Sequence, residues 1–190
     1  MMGELLYSKG MIKFGRFRLT SGKESSVYVD LRPLPSFPDA FSEVVEMLSE
    51  RVSEDYLCGI AVGGLPLATA VAFKLKIPLV YVRKERKEHG TMSRMEGVLK
   101  GNPKVLVLDD VATTGGSLLR AIEEVRSRGG VVERALVVVD RKQGAKEALA
   151  KVGVKLESLS TLPSLVEELM PSLPPDERAH ALSYLEEVRG

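Results

Sequence analysis

The densest chemistry in the sequence lies in one run, Lys104-Val105-Leu106-Val107-Leu108-Asp109-Asp110-Val111-Ala112-Thr113-Thr114-Gly115-Gly116-Ser117. Apolar residues lead into two adjacent acids. Small and hydroxyl-bearing residues follow, and then a stretch with helical spacing. Each part has a chemical use. Gly115 and Gly116 let backbone N–H groups approach a phosphate closely. Thr113, Thr114 and Ser117 add hydroxyl donors, and a helix start adds unpaired N–H groups with a partial positive charge. Two carboxylates would repel a phosphate placed on them, but they suit sugar hydroxyls, which donate to carboxylates. The run therefore fits a ribose phosphate: Asp109 and Asp110 on the ribose diol, and Val111, Ala112, Thr113, Thr114, Gly115, Gly116 and Ser117 around the 5-phosphate. It is not a Walker A loop, because no Lys follows the glycines in that register, and it is not the dinucleotide GxGxxG pattern. An ordinary capped turn between strand and helix would rarely set two acids, two threonines and two glycines in this order.

A second run, from Tyr81-Val82 through Arg83-Lys84-Glu85-Arg86-Lys87-Glu88-His89-Gly90 to Gly97, is dense in cations. Such a cluster neutralises a departing diphosphate, on which charge builds in the transition state. Composition alone favours a solvated charge run. Apart from Met92 and Met95 the run has almost no apolar residue between Val82 and Val98, so it cannot bury itself when empty and is expected to move. Two smaller features join these. Gly63-Gly64 before Leu65-Pro66 would expose N–H groups at a helix start. Arg141 follows Asp140 at the end of an apolar run, where the residues by themselves fit a surface ion pair with that aspartate.

The elements that would position these residues alternate between short apolar runs and amphipathic stretches. Residues 57–62, 79–82, 105–108, 135–139 and 154–159 read as strands, mostly apolar throughout, as strands covered on both faces are. Residues 65–75, 116–128 and 144–152 read as helices. This β-α-β-α order predicts an α/β fold with a parallel central sheet flanked by helices, which binds ligands at the carboxyl ends of its strands. Before it, residues 17–20 and 26–30 predict two short strands around a Ser21-Gly22-Lys23 turn. Asp39 is placed to cap a helix running to about Ser53. After a proline-rich stretch (Pro171, Pro174, Pro175), Asp176 is placed to cap a last helix with Ala179, Leu182 and Leu185 on one face.

The 190 residues suit one compact domain. A formal net charge of +1 gives no global field toward nucleic acid or membrane, so any bound anion must be held by local cations. No apolar run approaches the length of a membrane span. The N-terminus lacks the basic flank and apolar core of a signal peptide, so a cytoplasmic protein is expected. Cys58, the one cysteine, sits in an apolar run and reads as a packed core thiol.

The segment from Lys104 to Ser117 closely resembles the PRPP-binding motif of type I phosphoribosyltransferases (PRPP is 5-phosphoribosyl 1-diphosphate). Arg83-Lys84-Glu85, then Lys87, then His89-Gly90, resembles the mobile catalytic loop of the orotate phosphoribosyltransferases within that group. Phe17 to Ser26, ending at Tyr28-Val29-Asp30-Leu31-Arg32, resembles their N-terminal hood; some members carry a Lys where Thr20 stands, with Lys23 its neighbour here. Residues 59–68 resemble their pyrophosphate loop, in which some members carry a Lys in place of Gly63. Val137 to Gly144 resembles the segment in which the family often has an aspartate–arginine pair, whose arginine binds the orotate carboxylate.

The resemblance covers roughly residues 12 to 160. It implies a type I phosphoribosyltransferase fold filling residues 1–190, with about 1–35 in a small N-terminal hood and 171–190 as a helical tail. It implies a pentosyltransferase that moves ribose 5-phosphate from PRPP to orotate in UMP biosynthesis. Implied catalytic residues are Lys87, His89, Asp109 and Asp110. Arg83, Lys84, Lys87, His89 and residues 109–117 would bind PRPP, and Thr113 and Arg141 would bind orotate. Mg²⁺ would arrive with PRPP, and no metal site made of protein ligands alone is expected. The family's loop closes across a two-fold axis, which implies a homodimer with shared sites. A phosphoribosyltransferase for another base and a non-catalytic PRPP-sensing regulator are the rival readings. The hood and basic loop oppose the first. The absence of any evident DNA-binding helix pair or basic arm opposes the second.

Overall fold

The computed structural model describes residues 1–18, 22, 24–83 and 94–189. Thr20, Lys23, Lys84, Arg86, Lys87 and His89 lie outside the described residues, so the expectations placed on them are not addressed by it.

The central sheet has six strands. β3 (Tyr56–Ile60), β4 (Leu79–Val82), β6 (Val105–Ala112), β7 (Arg134–Asp140) and β8 (Lys155–Thr161) run parallel, and the short β5 (Met95–Glu96) pairs antiparallel with β4. The strand order is β5-β4-β3-β6-β7-β8. From β3 the chain first moves outward to β4 and later returns to the other side of β3 as β6. The order therefore reverses between β3 and β6, and a crevice opens where their carboxyl ends diverge.

Alternation explains why these strands read as continuous apolar runs. Leu57, Leu106, Leu108, Leu136 and Val138 belong to one core cluster, and Cys58, Val105, Val107, Ala135 and Val137 to the other. Successive side chains point to opposite faces, and both faces are covered. The first face carries α2 (Pro38–Ser49) and α3 (Gly64–Leu75) and the second α4 (Gly116–Ser127) and α5 (Ala145–Ala150).

Several boundaries differ from expectation. β3 stops at Ile60, because the chain turns through Ala61–Gly63, where the Ala61–Val62 peptide is cis. β6 continues through Asp109, Asp110, Val111 and Ala112, since β7 pairs with it as far as Ala112↔Asp140. The acids thus ride on the strand itself. The N-terminal ribbon begins five residues earlier than the apolar pattern implied: β1 (Ile12–Arg18) pairs antiparallel with β2 (Glu24–Val29), with a register irregularity between Phe14 and Phe17. Asp39 lies in the first turn of α2, whose N-cap is Phe37, and α2 ends at Ser49.

Two helices had no expectation. α1 (Met2–Ser8) docks on α6 (Leu162–Leu169), with Gly3 N donating to Glu168 Oε1 at 2.9 Å. The last helix, α7 (Pro175–Arg189), holds Asp176 inside its first turn rather than at its cap. Its buried face is Ala181, Tyr184 and Leu185, whereas Leu182 is 48% exposed. The face is chosen by what it packs against, namely β1, β2 and α6, and it includes a tyrosine that an aliphatic pattern passes over. No helix among the described residues is long and apolar enough to cross a membrane.

Candidate active site

The loops at the reversal point bring the expected residues together. Asp109 and Asp110 lie near the carboxyl end of β6, with Asp109 only 7% exposed and Asp110 partly buried. Asp109 Oδ1 accepts from Asp110 N and Asp110 Oδ1 accepts from Val111 N, each at 2.9 Å. Burial pushes the Asp109 carboxyl well above the usual carboxylate range, and the charge of Asp110 adds to the push. Burial also raises Asp110. Empty, the site therefore disfavours two charges side by side. Hydroxyl donors or a cation brought by a ligand supply what is missing.

The Gly63–Gly64 turn sits directly on these acids. A Cβ at Gly63 would overlap the Asp110 carboxylate, and one at Gly64 would lie 2.7 Å from both Asp109 Cα and Leu108 O. Only glycine allows the two loops to approach this closely, and a lysine at Gly63 would displace Asp110. Sequence reading treated this glycine pair as a weak signal, since its partner is more than forty residues away in the chain.

Asp109 and residues 111–118, with Arg120, line a cavity of about 220 Å³ at the start of α4. Gly115 adopts φ of 87°, a left-handed conformation that favours glycine. It turns the chain from strand into helix so that the first N–H groups of α4 face the cavity. Arg120 was not foreseen. It stands one helical turn beyond Ser117 and donates from Nη2 to Ser117 Oγ at 3.2 Å, a spacing that an i, i+3 reading would have found. A smaller cavity of about 60 Å³ links it to Ala61 and Arg83.

Arg83 marks the base of the cation-rich segment. Its N–H donates to Arg94 O at 2.9 Å, and Val82 pairs with Met95. Arg83 and Arg94 are thereby held together, with Arg83 beside Ser117 and Arg120. The Arg83 guanidinium lies 3.3 Å from Glu96.

Arg141 is drawn inward. Its N–H donates to Ala112 O at 2.9 Å, which sets it beside Thr113. The side chain is 8% exposed, and neither Nε nor Nη2 has a hydrogen-bond partner among the described residues. Burial pulls its pKa down, and Tyr184 and Tyr28 interact with it electrostatically. The surface pair with Asp140 is not formed. Asp140 accepts from Lys142 N at 2.8 Å and lies 3.5 Å from Lys142 Nζ. His180 sits partly buried on α7, and Cys58 is fully buried, its thiol pushed up to about 12 by burial, which leaves it inert. Among the described residues no group of three His, Cys, Asp or Glu side chains is arranged to hold a metal.

Residues 37–163 match the family described as the phosphoribosyl transferase domain. The orotate phosphoribosyltransferase of Sulfolobus acidocaldarius is 46% identical over 170 residues, covering 88% of this chain and 86% of that protein. The chain belongs to the orotate phosphoribosyltransferase family. Membership makes it a pentosyl-transferring enzyme. The crystal structure of orotate phosphoribosyltransferase from Aeropyrum pernix superposes with a TM-score of 0.83 at 44% identity, covering 89% of this chain and 98% of that one. Leishmania donovani UMP synthase superposes with a TM-score of 0.85 at 31% identity, over 98% of this chain and 42% of that longer one. These likenesses agree with the type I phosphoribosyltransferase architecture built above.

Proposed function

We propose that this orotate phosphoribosyltransferase joins the ring nitrogen of orotate to the anomeric carbon of PRPP, releasing diphosphate and giving orotidine 5'-monophosphate for pyrimidine synthesis. The observation that carries the base assignment is Arg141: a buried guanidinium with two unpartnered nitrogens beside the phosphate loop. A planar carboxylate answers it with two parallel bonds, and a neutral base would leave it unpaired.

Residues 111–117 cradle the 5-phosphate through backbone N–H and hydroxyl donors. Asp109 and Asp110 accept from the ribose hydroxyls and so orient the sugar. Thr113 and Arg141 hold the base in line with the anomeric carbon. The ring nitrogen of orotate is already acidic, so positioning and charge stabilisation carry the rate without a strong protein base. Mg²⁺ would arrive with PRPP, held mostly by the diphosphate and sugar hydroxyls, and the two buried carboxylates, short of positive charge, would fit it beside them. When bound it neutralises charge on the departing diphosphate. Arg83, Lys84, Lys87 and His89 would close over that diphosphate from a partner subunit, excluding water. In this reading residues 1–190 act as a single domain, about 1–35 forming a hood over the base and 171–190 a helical tail. The enzyme works as a cytoplasmic homodimer.

The test is purified protein with PRPP, Mg²⁺ and a panel of bases. Diphosphate release is expected with orotate and not with uracil, adenine or hypoxanthine. Comparable turnover of a purine would overturn the assignment.

A further inference from the structure

Six side-chain nitrogen or oxygen atoms among the described residues are buried without a hydrogen-bond partner, and three of them belong to two residues that interact electrostatically: Arg141 Nε, Arg141 Nη2 and Tyr184 Oη. Buried polar atoms are almost always partnered, so an orphan trio points to a missing ligand. Tyr184 is 3% exposed. It comes from α7, a helix that carries none of the family's sequence motifs and lies beyond the residues 37–163 matched by the family. Tyr28 on β2, which also interacts with Arg141, lies before them. Residues 109–117 and Arg141 thus fall inside the matched phosphoribosyl transferase domain, and Tyr28 and Tyr184 fall outside it.

The helix is fixed where it is by the hood. α7 packs on β1 and β2, and Ser26 Oγ lies 3.4 Å from Ser183 Oγ, the residue next to Tyr184. Tyr28, two residues along the same strand, stacks its ring on Phe17 with centroids 5.4 Å apart. Tyr184 and Arg141 feel each other electrostatically, and Asp140 bears on Tyr184 as well. Burial pushes the phenol up to about 12, so it remains a hydrogen-bond donor at any working pH.

We propose that Tyr184 is a specificity-determining residue of the base pocket, donating its hydroxyl to the ring carboxylate that Arg141 grips. A carboxylate offers about four acceptor positions, enough for the two guanidinium nitrogens and the phenol together. A base without that group would leave three buried donors unanswered, a stronger rejection than Arg141 provides alone. The C-terminal helix thereby becomes the outer wall of the base site, held in register by the hood.

The inference rests on orotate being the substrate, so the experiment begins with the wild type. Tyr184→Phe keeps the ring and its packing and removes only the hydroxyl. The expected result is a KM for orotate raised about tenfold, as for loss of one hydrogen bond to a charged group. KM for PRPP and kcat should be unchanged, and the ligand-free melting temperature equal or higher, because an unpartnered buried hydroxyl has gone. In an Arg141→Met background the same change should lower kcat/KM for orotate much less, since both residues hold one group. An unchanged KM for orotate overturns the inference and leaves the proposed function standing. So does a rise in both KM values with a lower melting temperature, which marks a packing role, or full additivity with Arg141→Met. Wild-type protein that does not consume orotate overturns both.

Discussion

Replacing Arg141 with Met separates binding from folding more cleanly than any other change at this site. Methionine fills most of the space of the arginine stem and carries no charge. The arginine is 8% exposed, with Nε and Nη2 unpartnered, and each unsatisfied buried donor costs about 1–3 kcal/mol. Allowing roughly half of this for local adjustment, the ligand-free variant should be about 1–3 kcal/mol more stable. For a chain of this size that is a rise of about 2–12 °C in melting temperature. Catalysis should move the other way. Removing one partner of a buried, hydrogen-bonded charge pair costs about 2–5 kcal/mol, or about thirty-fold to several thousand-fold in kcat/KM for orotate. Uracil has no carboxylate to lose, so its turnover should not fall, and discrimination between the two bases should collapse. Thermal melting without ligand and diphosphate release with each base measure both effects. A variant that melts several degrees lower would show that Arg141 holds the fold. A variant with wild-type kcat/KM for orotate would show that the carboxylate binds elsewhere.

Asp109→Asn with Asp110→Asn should abolish most PRPP turnover with the fold intact, and unchanged turnover would refute the ribose assignment. The same variant tests the electrostatics. Both acids have pKa values raised by burial, so their contribution to stability is fully present below the unfolded-state value and is lost as pH rises through the folded-state values. Without ligand the variant should therefore melt above wild type at pH 7, with the gap closing toward pH 4; a gap that widens on acidification would contradict this. Gly64→Ala puts a methyl group 2.7 Å from the backbone at Leu108 and Asp109, so the loop must shift. It should raise KM for PRPP by about tenfold and lower stability by about 1–3 kcal/mol, read by initial rates and thermal melting. Finally, Lys87→Ala mixed with the Asp109/Asp110 double variant should recover up to about a quarter of wild-type activity if the cation-rich loop serves the partner's site. No recovery after demonstrated subunit exchange would exclude a shared site.

The strand-to-helix turn from Val105 to Ser117 was legible in the sequence because its parts are contiguous. Strand, paired acids, hydroxyls and glycines follow one another from Val105 to Ser117, and local backbone geometry alone turns that order into a cradle at a helix start. The sheet was legible too, since strands covered on both faces must be apolar throughout, and the alternation with helices dictates parallel pairing. Element ends were less so. β6 reaches Ala112 because β7 lies beside it to pair, a contact that no residue of β6 encodes.

What joins distant residues was decided only in three dimensions. That Gly63 and Gly64 admit nothing larger follows from Asp109 and Asp110 lying against them across the reversal of strand order. Arg141 could be read as a surface residue or a ligand-binding one. Its burial is a property of the folded chain, in which Asp140 turns to Lys142 and not to Arg141. Tyr184 had no sequence signal, because a tyrosine on an amphipathic helix is ordinarily a packing residue with a wet hydroxyl. Here the hydroxyl is buried beside an unpaired guanidinium, and that pairing exists only because a hydrophobic face at one end of the chain packs on a β-ribbon at the other. Local order specifies the strand-to-helix turn at residues 109–117; burial across the whole chain leaves Arg141 and Tyr184 with unpartnered donors.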